Sequence, residues 1–521
     1  MNTRKTLCAL ALSLALAAPS WAQITFGSWG RVVITPISFT NSESNGETYS
    51  AVSAATSTWG DVPYISFSAN GRAPSGNIGF NIDFDFGFNV LSNSYQIVGD
   101  NAKLWLHPLG LVLPDHKDTL KLVAGRFNED ELRGRIGATE FGGWVLPNGS
   151  KDEDNIFTRF KATAGAYARV APLSWWDSPL NGLTLHAVIG SNSIGANGNS
   201  LRAPRNLYNN EANRTNGHAS SYNEDYDDGH DGDRLTSALD VYRAGQYALG
   251  YRIPEVGLLR FQYIGSNLEV WRMDSYGTRN APIDTPRRLV IGVDRGNRGD
   301  SLEMAFLFDM IEGLRLDAGL KIFLEYETTQ SVNITPSIFN SKLGQQIPGW
   351  APGRKNATLA VQNPTVVALG ANWTPSFFPA LNIIARFDGS FGGKIETVGG
   401  EAADRGYIEY GDVISMWLVP SYKVSNLVSA GLDLGFEVST GDKAMVQNQD
   451  RPEYTDISTY SDFGFSPWAD IQIGGGRMRA GVVVMFPGSF RYKADGTGGR
   501  VTPQYMGDPI VSLPISITYS F

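Results

Sequence analysis

Between residues 78 and 86 the chain alternates strictly, with Ile78, Phe80, Ile82, Phe84 and Phe86 separated by Gly79, Asn81, Asp83 and Asp85. A helix, repeating every 3.6 residues, cannot gather that set on one face. A strand, with a period of two, puts all the apolar side chains on one side and the polar ones on the other. Residues 314–325 repeat the pattern, with Leu314, Leu316, Ala318, Leu320, Ile322 and Leu324 against Arg315, Asp317, Gly319, Lys321 and Glu325. In residues 157–170, Arg159, Lys161, Thr163, Gly165 and Arg169 oppose Phe160, Ala162, Ala164, Ala166, Ala168 and Val170. In residues 427–437, Val428, Ala430, Leu432, Leu434 and Phe436 oppose Ser429, Gly431, Asp433, Gly435 and Glu437. A single such strand would suit a soluble sandwich with one wet face.

Roughly eighteen such segments can be placed, starting near residues 24, 61, 76, 102, 119, 157, 182, 239, 257, 301, 314, 365, 380, 406, 427, 463, 477 and 509. Their connections alternate in length. Tight turns fall at Ala73-Pro74-Ser75, Pro254-Glu255-Val256, Ile311-Glu312-Gly313, Ser425-Asn426 and Gly474-Gly475-Gly476. Long polar stretches lie at 128–156, 191–238, 266–300, 327–364, 438–462 and 488–508. Short turns at one end and long loops at the other predict an all-β fold, a transmembrane antiparallel β-barrel of about 16–18 strands with periplasmic turns and extracellular loops. A sandwich or propeller gives no reason for such sorting, and the internal repeat a propeller needs is missing from the sequence.

Beyond the first 22 residues no apolar run reaches the length of a helical span, so a membrane would be crossed by strands. Residues 1–22 themselves carry Arg4 and Lys5, an apolar run from Leu7 to Ala17, and small residues Ser20 and Ala22 before Gln23. This is the pattern of a cleaved export signal, leaving 23–521 as one barrel domain. The only cysteine, Cys8, lies inside the signal, so the exported chain has no thiol for a disulfide framework, metal site or nucleophile. With 43 Lys and Arg against 52 Asp and Glu, the chain lacks the basic excess expected of a nucleic-acid binder.

The last strand reads IVSLPISITYSF, with Val511, Leu513, Ile515, Ile517, Tyr519 and Phe521 on one parity. Its Tyr519 and Phe521 ending resembles the terminal signature of bacterial outer-membrane barrels, which implies recognition by the barrel-assembly machinery. Aromatic residues gather near the short turns, at Trp175-Trp176, Trp373 and Phe377-Phe378, as in an interfacial girdle against lipid.

Residues 119–159 resemble the general porins of Gram-negative bacteria. Leu120-Lys121-Leu122-Val123-Ala124-Gly125-Arg126 is similar to the strand that precedes their third outer loop, and Glu140-Phe141-Gly142-Gly143 is similar to the motif of the loop that narrows their pore. Thr139 stands where that family has Pro, and Trp144 where it has an acid. The resemblance implies a water-filled diffusion channel, a homotrimer, Glu140 as a constriction acid, and Arg126 and Arg159 on an opposing basic wall. More loosely, the Trp29-Gly30-Arg31 start is similar to that of spirochaetal outer-membrane barrel proteins.

A barrel of about eighteen strands is too wide for its own side chains to fill, so its lumen must hold water, a plug or inward-folded loops. The polar parities that would line it carry Arg31, Arg159, Lys161, Arg169, Arg260, Arg315, Lys321, Arg386, Arg477 and Arg479 against Asp83, Asp85, Glu303, Asp309, Asp317, Glu325, Asp388, Asp433, Glu437 and Asp470. Such a mixed wall suits small hydrophilic solutes and ions of either sign. Asp225, Asp227 and Asp231 could attract Ca²⁺, but taking Asn223, Asp225 and Asp227 as first ligands puts Asp228 where a calcium loop needs Gly, so a solvated acidic loop is expected instead. No motif implies a cofactor. An enzyme finds little support, since GxSxG and HExxH are missing and His186 alternates with Thr184 in a strand. A surface adhesin acting through the long loops is the alternative to a channel.

Overall fold

The computed structural model describes residues 23–44, 47–55, 64–89, 94–129, 160–176, 178–191, 245–265, 290–292, 301–324, 326–335, 354–362, 364–400, 406–409, 411–440, 442–446, 454–457, 460–486, 490–494, 501–505 and 510–520. Among them eighteen strands form one closed antiparallel wall. They are β1 (Gln23–Ser44), β2 (Tyr64–Arg72), β3 (Ile78–Asn89), β4 (Ser94–Leu106), β5 (Leu120–Glu129), β6 (Phe160–Val170), β7 (Leu183–Ser191), β8 (Gln246–Ile253) and β9 (Gly257–Ile264). The second half comprises β10 (Ser301–Phe308), β11 (Leu314–Phe323), β12 (Thr365–Trp373), β13 (Leu381–Phe391), β14 (Val413–Lys423), β15 (Val428–Ser439), β16 (Tyr460–Ile473), β17 (Gly476–Gly481 with Val483–Phe486) and β18 (Ile510–Ser512 with Ile515–Ser520).

Each strand pairs with its neighbours in sequence, and the wall closes where β1 pairs with both β2 (Gln23↔Arg72 to Arg31↔Tyr64) and β18 (Trp29↔Ser520 to Ile34↔Ile515). Closure removes the open edges that could not satisfy their backbone groups inside lipid. The tight turns lie where the sequence places them. Gly313 adopts φ 76° and a Cβ there would sit 2.1 Å from the Thr374 carbonyl, so only glycine fits. Between β4 and β5 the chain instead makes two short 3₁₀ helices, Leu109–Leu111 and Pro114–Thr119, latched to the β2–β3 turn by Asn77 Nδ2 donating to the Gly110 carbonyl at 2.7 Å.

Parity sorts the two faces. Ile82, Leu104, Phe261, Leu302, Leu369, Leu418, Phe463 and Ile517 are exposed on the outside, Leu104 by 64 % and Leu369 by 50 %. Trp175, Trp176, Phe377 and Phe378 are exposed around the short-turn end. No described helix is long and apolar enough to cross a membrane, and the exposed apolar belt belongs to strands.

Beyond the barrel, on the long-loop side, seven further strands form a second sheet that prolongs the wall over β10 to β16: Val290–Gly292, Tyr326–Thr335, Arg354–Gln362, Lys394–Gly400, Gly406–Glu409, Asp442–Val446 and Tyr454–Ile457. A hairpin, Phe490–Ala494 with Val501–Tyr505, stands between β17 and β18. Parts of 327–364, 438–462 and 488–508, read from sequence as loops, are therefore strands. Outside lipid both faces of a strand meet water, so a segment such as Glu327-Thr328-Thr329-Gln330-Ser331 carries no apolar alternation to reveal it. The strand placed near 406 splits likewise into Gly406–Glu409 and the wall strand β14.

Candidate functional site: the inner face of the barrel

Over β9 to β17 the inner face is a ladder of paired charges. Antiparallel pairing puts directly opposed side chains about 5 Å apart, close enough for cross-strand ion pairs. Glu303 opposes Lys321 and meets its Nζ at 3.1 Å. Asp470 opposes Arg479 and accepts two hydrogen bonds from its guanidinium, at 2.5 and 2.6 Å. Arg260 reaches across β10 to Asp317 at 2.5 Å, and Arg386 meets Asp388 at 2.6 Å. Ser415 Oγ donates to Glu437 at 2.6 Å, and Trp468 Nε1 donates to Asp433 at 2.7 Å. Arg260, Glu303, Lys321 and Glu437 are at most 2 % exposed, so this sector is packed as tightly as a soluble core. Charges that deep persist because each is met by an opposite charge or a hydrogen-bond donor.

Glycine makes room for the inward tryptophans. A Cβ on Gly431, opposite Trp468, would lie 2.2 Å from the indole, and one on Gly79, opposite Trp105, would lie 2.3 Å from it. The Arg479 guanidinium sits 3.7 Å from the Trp468 ring centroid, adding a cation–π contact to its ion pairs.

The sector from β2 to β7 is different. At Gly125 the backbone takes φ 121°, and the β5–β6 register shifts between Gly125 and Phe127. Beyond this irregularity Glu129 comes to lie between two ammonium groups, Lys103 Nζ on Oε1 at 2.5 Å and Lys121 Nζ on Oε2 at 2.8 Å. Beside them a cavity of about 410 Å³ opens on the inner face near the short-turn end, bordered also by Arg72, Trp105, Lys117 and Asp118. Further along, His186 is buried with both ring nitrogens engaged. Nδ1 lies 2.8 Å from Tyr167 Oη and Nε2 2.9 Å from Thr184 Oγ1, and the ring stacks on Phe160 at 4.9 Å. This is a structural setting for a histidine, with no approach for a substrate.

The sequence-derived lining residues fall as follows. Arg31, Asp83, Arg260, Arg315, Asp317, Lys321, Arg386 and Asp388 share strand parities with buried inner-face neighbours, and Asp83 accepts a hydrogen bond from Asn101 at 2.9 Å. Asp85 occupies the same parity two residues on. One residue departs from the expectation. Arg126 opposes Ala102 and shares the parity of outward-facing Leu122, not that of Lys121 and Val123. Lys161 opposes Asn128, and the register shift on β6 turns neighbouring Phe160 inward, where it is 1 % exposed. The Lys161 side chain lies outside the described residues. Glu140, Arg159, Asp225, Asp227, Asp231 and Phe521 lie outside the described residues. Sequence reading missed Lys103, Lys121 and Glu129. The first two were visible as the polar partners of Leu104 and Leu122, but the meeting of all three depends on the irregularity at Gly125.

A closed wall of eighteen strands, apolar outside and charged inside, defines an integral β-barrel protein of an outer membrane. Its fold is similar to solved outer-membrane porins and channels. OmpT of Vibrio cholerae aligns at 8 % identity and TM-score 0.38, covering 96 % of this chain and 99 % of that one. An anion-selective porin from Comamonas acidovorans aligns at 8 % identity and TM-score 0.39, covering 96 % and 100 %. The outer membrane channel DcaP of Acinetobacter baumannii aligns at 10 % identity and TM-score 0.39, covering 96 % and 97 %. No family model and no curated protein matches the sequence.

Proposed function

We propose that this barrel is a porin, a channel for passive diffusion of small hydrophilic solutes and ions across the outer membrane. The observation that carries the reading is the closed wall whose inner parity bears charges of both signs while its outer parity is dominated by exposed apolar side chains. Such a wall has no reason to be polar inside unless water or polar groups fill it. In this reading residues 1–22 are removed on export, Arg31, Asp83, Asp85, Arg260, Arg315, Asp317, Lys321, Arg386 and Asp388 belong to the charged wall that encloses the lumen, and Glu140 and Arg159 belong to its constriction. Tyr519 and Phe521 present the chain to the assembly machinery, and the porin resemblance adds a homotrimer. The engaged ring of His186 favours a channel over an enzyme.

Liposome swelling tests this. Vesicles holding the folded, heat-modifiable protein are expected to swell in arabinose about tenfold faster than protein-free vesicles, and far more slowly in a tetrasaccharide. Equal swelling with and without protein would overturn the reading. A surface-binding role is a second reading, favoured by the seven-stranded prolongation of the wall beyond the barrel. It would be supported by binding of the intact barrel, but not of a barrel lacking 326–362, to host extracellular matrix.

A further inference from the structure

The cavity on the inner face of β2 to β5 has the size of a small-molecule site, about 410 Å³, and an unbalanced lining. Arg72, Lys103, Lys117 and Lys121 set four basic side chains against the carboxylates of Glu129 and Asp118. Over β9 to β17, by contrast, Arg260, Lys321, Arg386 and Arg479 each meet a carboxylate of their own. The geometry of the cations is also specific. Lys103 and Lys121 each hold a different oxygen of the same carboxylate, that of Glu129, so their ammonium groups are already spaced to receive a carboxylate end-on. One wall of the cavity is Trp105, with the Arg72 guanidinium 6.0 Å from its ring centroid, which offers a flat surface to an apolar or planar body. Lys117, on the 3₁₀ segment, is exposed at the rim.

We propose that this cavity is a subsite for small organic carboxylates, and that Glu129 is a tethered competitor occupying the position a solute carboxylate takes between Lys103 and Lys121. Glu129 is the last residue of β5, four residues past the positive-φ Gly125. A solute carboxylate that displaces it keeps both lysines neutralised, and the released Glu129 carboxylate has to find water or another cation of the lining, which keeps the binding weak. Weak binding of this kind lets a channel raise the local concentration of a solute without trapping it. The proposal deepens the channel reading, since it supplies a solute class for the lumen.

Equilibrium dialysis of radiolabelled benzoate against the full-length folded barrel in detergent tests it, with benzamide as the neutral probe. Benzoate is expected to bind, and benzamide to bind about tenfold more weakly. Glu129→Gln removes the competitor and is expected to tighten benzoate about tenfold. Lys117→Gln, at an exposed position that leaves folding untouched, is expected to weaken it about threefold. Lys103→Gln is expected to abolish the gain seen in Glu129→Gln. Equal binding of benzoate and benzamide, or a Glu129→Gln protein that folds and binds benzoate no more tightly than the parent, would overturn the subsite. Dialysis needs no conductance. Binding without vesicle swelling would sink the channel reading alone, and swelling without binding would sink the subsite alone.

Discussion

Gly125→Val is expected to abolish assembly of the barrel. The residue sits at φ 121°, where a β-branched side chain is strained by about 1–3 kcal/mol, and its Cβ would lie 2.3 Å from the Ala102 carbonyl, a backbone atom that cannot yield. The clash falls inside the β4–β5 ladder, at the Lys103↔Gly125 pair, so relief requires those strands to separate. A barrel with one broken ladder exposes two unpaired edges, which lipid does not tolerate. The check is the heat-modifiable band of the refolded protein on cold and boiled gels. Loss of that band in Gly125→Val, with Gly392→Val as a control at a positive-φ glycine that has open space around it, is the expected result. A normal proportion of folded Gly125→Val would show that the irregularity in β5 is dispensable.

Asp470→Asn is expected to be the most damaging single change on the packed side of the inner face. Arg479 is 4 % exposed, is held by two hydrogen bonds from its guanidinium to Asp470, and lies against Trp468. Neutralising its partner leaves a buried cation short of its counter-charge, a loss of about 3–5 kcal/mol where such pairs have been broken elsewhere. Arg477, 3.8 Å from Asp470, adds to the unbalanced positive charge. Urea unfolding followed by tryptophan fluorescence reads the effect as a lower midpoint. Adding Arg479→Met to Asp470→Asn removes the orphaned charge and is expected to restore more than half of the loss, because an apolar replacement of both partners is far cheaper than a broken pair. A double variant no more stable than the single one would mean that the loss comes from packing around Asp470 and not from the charge.

Most of the wall was legible because a bilayer imposes period-two alternation on every crossing strand. Ile78 to Phe86, Leu314 to Leu324 and Val428 to Phe436 could not be read any other way, and their register in the sheet follows the parity of the sequence. Where the physics that writes the pattern is absent, so is the pattern. The strands that prolong the wall, such as Tyr326–Thr335, have water on both faces and read as loops. Phe160 illustrates a second limit. Its segment reads as one regular strand with Phe160 outward, but a register shift opposite Gly125 turns it inward, and the run of alanines around it fits either face equally well. Arg126 was assigned to the lumen by resemblance to a motif, although its own parity, shared with Leu122 and Ala124, points the other way. The convergence of Lys103, Lys121 and Glu129 joins residues 26 and 8 positions apart through a backbone irregularity that no local pattern encodes.

The most direct test of the channel itself is single-channel recording of the purified, heat-modifiable chain in a planar lipid bilayer, in KCl and in salts whose cation or anion is large. Stable, discrete conductance steps are the expected result, with a preference for anions that grows in Glu129→Gln as the carboxylate between Lys103 and Lys121 is removed. A folded barrel that inserts but passes no current in any of these salts would contradict a diffusion channel and leave the wall beyond the membrane as the working part of the molecule.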